Sequence, residues 1–146
     1  MGAVKKGLHK GRGIGGLTTK VHAVVDGLGN PLRFLLSPGI RNDIVYAQEM
    51  LEPFDLQGKK VLADMGYDQE AFCEYIRRRG GTPEIPSRVT NRIQREIDLD
   101  EYKERHLVEN LFQKLKNHRR FATRYEKMDI NFAAVVNLCF ILIWLF

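Results

Sequence analysis

The chain has 146 residues, 44% of them hydrophobic, which suits one domain, or part of one, with an ordinary buried core. A net charge of +5 and an isoelectric point near 9.3 favour a polyanionic partner. Cys73 and Cys139 have neither metal-ligand nor disulfide-framework spacing and read as reduced, buried, cytosolic residues.

The start reads as a flexible, basic, glycine-rich linker over residues 1–16, carrying Lys5, Lys6, Lys10 and Arg12. With no apolar run behind these charges, it does not read as a signal peptide. The spans Thr18 to Val25 and Leu32 to Leu36 are β-rich, and the turn residues Asp26-Gly27-Leu28-Gly29-Asn30-Pro31 between them predict a hairpin. Asp43 is placed to cap a helix over Ile44 to Leu51, which Pro53 stops. Lys60 to Ala63 is a short buried strand ending at Asp64. Asp68 is placed to cap the next helix, which runs to Arg79 before Gly80-Gly81 breaks it. Thr82 to Ile85 is a further strand, and the polar stretch Pro86 to Asp100 is a loop. Two helices follow, over about 102 to 118 and 130 to 145. The last stretch, Phe132 to Phe146, is apolar apart from Asn137, but at fifteen residues it is shorter than the ~20 a bilayer requires. A buried terminal helix is expected. The succession of strands and helices is an α/β layout.

The helix near Tyr102 carries the chemistry. At ~100° per residue, Tyr102, Arg105, Glu109 and Lys116 fall within roughly 60° of one another. Val108, Leu111, Phe112 and Leu115 form a neighbouring apolar sector that can pack on a core. A carboxylate between two cations and a phenol, at the edge of a buried surface, is suited to holding a metal ion against a phosphate. The plain alternative for Glu109 is a surface ion pair with Arg105, worth ~0.3 kcal/mol. Arg119 and Arg120 add to a basic stretch over Lys114 to Lys127.

The spacing Tyr-x2-Arg-x3-Glu-x6-Lys resembles the signature of bacterial insertion-sequence DDE transposases. So do Gly15-Gly16-Leu17-Thr18-Thr19-Lys20-Val21-His22-Ala23-Val24-Val25-Asp26, the Gly29 to Phe34 segment, Ala63-Asp64-Met65-Gly66-Tyr67-Asp68, and Tyr102 to Tyr125, in the same order. The resemblance implies a ribonuclease-H-like catalytic domain with Mg²⁺, or Mn²⁺ in its place, as cofactor. It implies transposase activity, cleavage and strand transfer on double-stranded DNA at terminal inverted repeats, and a homodimer in the complete enzyme. It makes Asp64 and Glu109 catalytic metal ligands and Tyr102, Arg105 and Lys116 their catalytic helpers. Lys5, Lys6, Lys10, Arg12, Arg105, Lys116, Arg119 and Arg120 are the expected DNA contacts. A cytoplasmic, nucleoid-associated protein without a membrane partner is expected.

The chain departs from the family at its start. The family's first strand, which carries the first acid in the middle of the sheet, should precede Gly15. Met1 to Gly16 holds six glycines and only three aliphatic residues larger than alanine. On this reading residues 17–146 are a partial catalytic domain without its first central strand, and the isolated chain should be molten, aggregated, or closed up in a non-family arrangement. Asp26 is no substitute for the first acid, since a strand of about eight residues at ~3.3 Å each separates it from the other acids. It reads as a turn residue. Three functional readings stand open: a carboxyl-terminal transposase portion joined to an upstream fragment by frameshifting, a non-catalytic DNA-binding fragment that inhibits transposition, and an inert pseudogene product.

Overall fold

The structure is a computed structural model and describes residues 2–9, 19–39, 41–92 and 94–146, the first of these by backbone alone. Its strands are β1 (Gly2–His9), β2 (Thr19–Val25), β3 (Pro31–Pro38), β4 (Lys60–Ala63) and β5 (Thr82–Glu84). Its helices are α1 (Ile44–Leu51), α2 (Glu70–Arg78), α3 (Leu99–Lys103), α4 (His106–Lys116), α5 (Arg119–Ala122) and α6 (Asp129–Leu145). The strands form one sheet in the order β3-β2-β1-β4-β5.

The expected gap at the centre of the sheet is filled, which corrects the sequence expectation. Gly2–His9 is the middle strand, antiparallel to β2 over Ala3–Val25 to His9–Thr19 and parallel to β4 over Gly2–Val61 to Val4–Ala63. Its glycines and lysines are poor strand formers, but strand preference depends strongly on context. A backbone between two edges that must be hydrogen-bonded satisfies both, whatever its side chains. The segment read as linker therefore contributes its first half to the sheet.

Alternation along the strands sends side chains into two cores. Val21, Ala23 and Val25 of β2 and Leu62 of β4 pack under α4 and α6, against Val108, Leu111, Leu115, Phe132 and Val136. Val24, Val61 and Ala63 pack on the other face, against Ala47, Met50, Phe72 and Ile76 of α1 and α2. With helices on both faces, β2 and β4 are buried almost throughout, the pattern of a covered α/β sheet. Cys73 and Cys139 are buried and unbridged.

The hairpin forms as predicted. Asp26 is its turn residue, accepting from the Leu28 amide at 2.8 Å, the Asn30 amide at 2.9 Å and the Asn30 side chain at 3.0 Å. Gly29 adopts φ +84°, which a side chain disfavours. Asp43 starts α1 without a capping hydrogen bond, because its carboxylate pairs with buried Lys20 at 3.0 Å. Asp68 does not cap α2 either; Gln69 holds that position. Arg79, at the end of α2, closes α1 from outside by donating to the carbonyls of Leu51 at 2.9 Å, Glu52 at 3.1 Å and Phe54 at 2.6 Å.

The predicted helix over 102 to 118 is two helices, α3 and α4, broken at Glu104 and Arg105. Asp98 caps α3 by accepting from the amides of Asp100 and Glu101. The Asp98 amide donates to Glu84 at 3.1 Å, and Glu101 pairs with Lys60, so α3 is tied to the sheet independently of α4. The chain tightens between them through i→i−3 bonds, Arg105 to Tyr102 and Leu107 to Glu104. Among the described residues no helix is long and apolar enough to cross a membrane.

Candidate active site

Asp64 follows β4 directly, at the carboxyl end of a parallel strand, where open α/β sheets usually bind ligands. Its carboxylate accepts from the Gly66 amide at 2.8 Å and starts a 3-10 turn over Met65–Tyr67. A Cβ on residue 66 would lie 2.8 Å from the Asp64 oxygen, so only glycine lets the carboxylate sit there. The ring of Tyr67 is buried behind it, and its hydroxyl, buried without a hydrogen-bond partner, is held protonated by that burial and by the charges of Asp43 and Asp64.

Three of the predicted helix residues, Tyr102, Arg105 and Glu109, lie together. Burial raises the Tyr102 hydroxyl above its ordinary pKa, the Arg105 cation pulls it down, and the charges of Asp64 and Glu109 push it up. The Arg105 guanidinium lies 5.5 Å over the Tyr102 ring and donates to Glu109 at 2.9 Å. Its Nε is buried without a partner, so one donor of the guanidinium is unspent. Lys116 shares the face of Glu109 two turns further on, ~10.5 Å along the axis, and is exposed. It shares their stripe without touching them.

The two acids do not complete a metal-ion pair. Two-ion phosphoryl chemistry needs several acidic ligands around ions ~3.5 to 4 Å apart. Among the described residues no three His, Cys, Asp or Glu side chains are grouped to hold a metal ion. The remaining residues of the sequence hold only one side chain of these types, His9. Strand β1 occupies the position of the expected first strand without an acidic residue in it.

Of the expected DNA contacts, Lys10 and Arg12 lie outside the described residues, and Lys5 and Lys6 are placed by backbone alone; Thr18, the expected start of the hairpin, also lies outside the described residues. Arg119 and Arg120 are exposed on α5, beside a cleft of about 280 Å³ that also meets Val135, Leu138 and Cys139 of α6.

A cluster absent from the sequence reading lies next to Asp64 in the chain. Buried Asp68 pairs with Arg95 and accepts from the Arg88 amide at 2.6 Å and the Asn91 side chain at 2.8 Å. Burial opposes its charge, but the hydrogen bonds from Arg88 and Arg95 prevail and hold the carboxyl below its usual range. Arg95 also reaches Glu70 at 3.2 Å, and its amide donates to Ser87 at 2.9 Å. The loop between β5 and α3 is thereby fastened to the turn that carries Asp64. Pairing across 27 residues leaves no periodic trace in a sequence.

An acid at the end of a parallel strand, and a second acid on α4 bonded to Arg105 beside the Tyr102 ring, define an α/β protein with polar residues at the strand ends. The chain matches the family described as Transposase DDE domain over residues 2–144, and it belongs to that family. It is 39% identical over 130 residues to a protein assigned as transposase for insertion sequence element IS6501 in Brucella ovis, covering 88% of this chain and 99% of that one. No solved structure matches it.

Proposed function

We propose that this chain acts in DNA transposition by binding double-stranded DNA at the terminal inverted repeats of its element, with Asp64 and Glu109 as two acids of the catalytic set. The observation that carries this is Arg105 bridging the Tyr102 ring and the Glu109 carboxylate, together with Asp64 at the carboxyl end of β4. Arg105 and Lys116 would hold DNA phosphate. Arg119, Arg120, Lys5, Lys6, Lys10 and Arg12 would add charge along the same duplex. The antiparallel β1, β2 and β3 followed by parallel β4 and β5 support a ribonuclease-H-like arrangement.

Cleavage and strand transfer with Mg²⁺ or Mn²⁺ would need a first acid on the strand beside β4, where this chain has none. An upstream transposase portion that puts its own acid-bearing strand in place of β1 would supply it. Two copies would pair in the assembled enzyme, a reading supported by the exposed Leu138, Ile141 and Leu145 on α6. The protein would work on the nucleoid in the cytoplasm. A second reading, favoured by the acid-free β1, is a non-catalytic chain that occupies inverted repeats and blocks transposition.

The test is to assay nicking of inverted-repeat DNA by the chain with and without an upstream polypeptide bearing an Asp-containing strand. Nicking that appears only with both, and is lost in Asp64→Asn and Glu109→Gln, supports the catalytic reading. DNA binding without nicking in either mixture supports the inhibitory one. Absence of DNA binding refutes both.

A further inference from the structure

Beside the acid stripe, α4 carries a second polar face. Asn110, Gln113, Lys114 and Asn117 are all exposed and line one side of a groove of about 400 Å³, whose other wall is the hairpin turn at Leu28 and Gly29. That wall is fixed to the helix: a Cβ built on Gly29 would lie 3.5 Å from the Cβ of Leu107. Among the described residues the four polar side chains make no hydrogen bond or ion pair.

The chemistry of this face is selective. No carboxylate lines the groove, so nothing in it repels a polyanion. Three of the four side chains are carboxamides, which carry a donor and an acceptor side by side and match the major-groove edge of adenine. From Asn110 to Asn117 the helix rises ~10.5 Å, and bases along one DNA strand rise ~3.4 Å each. The amide row therefore spans about three base pairs. At ~100° per residue Gln113 lies ~40° round the axis from Glu109, and Asn110 and Asn117 lie ~80 to 100° round. A duplex whose phosphates lie against Arg105 and Lys116 would bring its base edges to this row.

Building on the transposition reading, we infer that Asn110, Gln113 and Asn117 read base edges, which makes α4 the element that selects DNA sequence as well as the one that holds Glu109. Lys114 neutralises the phosphate beside them.

The experiment is selection of duplexes from a randomised DNA library by the whole chain, compared with Asn110→Ala/Gln113→Ala/Asn117→Ala, with each single alanine variant, and with Lys116→Ala. All these positions are exposed, and thermal unfolding checks that each variant is folded; the singles serve if the triple is not. The original chain should enrich a motif, and the triple variant should lose about tenfold or more of its preference at some three adjacent positions. Its low-salt affinity for unselected DNA should stay within about threefold. Each single variant should relax one position. Lys116→Ala should weaken binding to all sequences alike and leave the motif unchanged. The same motif from the triple variant, or no motif from the original chain despite DNA binding, overturns the base-reading inference alone. A chain that retains no DNA overturns the transposition reading on which it rests.

Discussion

Val4 of β1 is paired with Ala63 of β4 in parallel register, and Asp64 follows that pair directly, just past the end of β4. β1 carries no acidic residue, so none accompanies Asp64 on the strand where the resemblance expects an acid. Two-ion phosphoryl chemistry needs that further acid to hold its ions. The pure chain should give no nicking of inverted-repeat plasmid with Mg²⁺ or Mn²⁺. Nicking that disappears in Asp64→Ala would prove that the first acid lies elsewhere in this sequence.

The Arg105–Glu109 pair separates stability from function. The two side chains are 24% and 38% exposed, so the pair adds only about 0.3 to 0.5 kcal/mol to folding. Arg105→Ala should shift the unfolding midpoint little, yet weaken DNA binding and lower the slope of log affinity against log salt by about one. Glu109→Ala should leave DNA affinity unchanged or slightly raised, because it removes a negative charge facing phosphate. A salt-independent affinity of the original chain would refute the electrostatic account.

Asp68 and Arg95 make the opposite case, a pair whose carboxylate is 1% exposed. Removing one partner of such a pair costs about 3 kcal/mol or more, since it leaves the other charge buried alone. The folded-state carboxyl lies below its ordinary value. Its contribution is therefore present in full above about pH 4, the unfolded value, and is lost as pH falls through the depressed folded value. Asp68→Asn should unfold at lower urea than the original chain at pH 7, with the difference shrinking near pH 3. Trypsin should cut the variant faster at Arg88, Arg92 or Arg95. Equal midpoints at pH 7 would mean that the loop is held by other contacts.

Legibility in the sequence followed the range of the forces involved. The span of α1, the strand at Lys60 to Ala63 and the Asp26 turn were readable because periodicity, Pro53 and the Asx turn act within a few residues. Asp64 and the Tyr102–Arg105–Glu109 group were visible as motifs, and Arg105 links Tyr102 to Glu109 even though these two sit on separate helices. The break at Arg105 was hidden because it comes from the ties of α3 to Lys60 and Glu84, 41 and 14 residues away in the chain. Strand β1 was hidden for a similar reason: the open edges of β2 and β4 recruit it, and its own composition argues against it.

The central place of β1 reverses the expectation of a molten chain. Its backbone pairs with β2 from Ala3 to His9 on one side and with β4 from Gly2 to Val4 on the other. Deleting residues 2–9 would open both edges between helices that cover the two faces of the sheet. Each buried peptide group left unsatisfied costs ~1 to 3 kcal/mol, so a few such groups exceed the ~5 to 15 kcal/mol that stabilises an ordinary domain. The 146-residue chain should therefore show one sharp thermal transition. A chain beginning at residue 10 should melt without cooperativity or aggregate, and a synthetic Gly2–His9 peptide added to it should restore part of the transition. Calorimetry on both chains at the same concentration decides the matter. Equal midpoints and enthalpies would show that β2 and β4 stand without the strand between them.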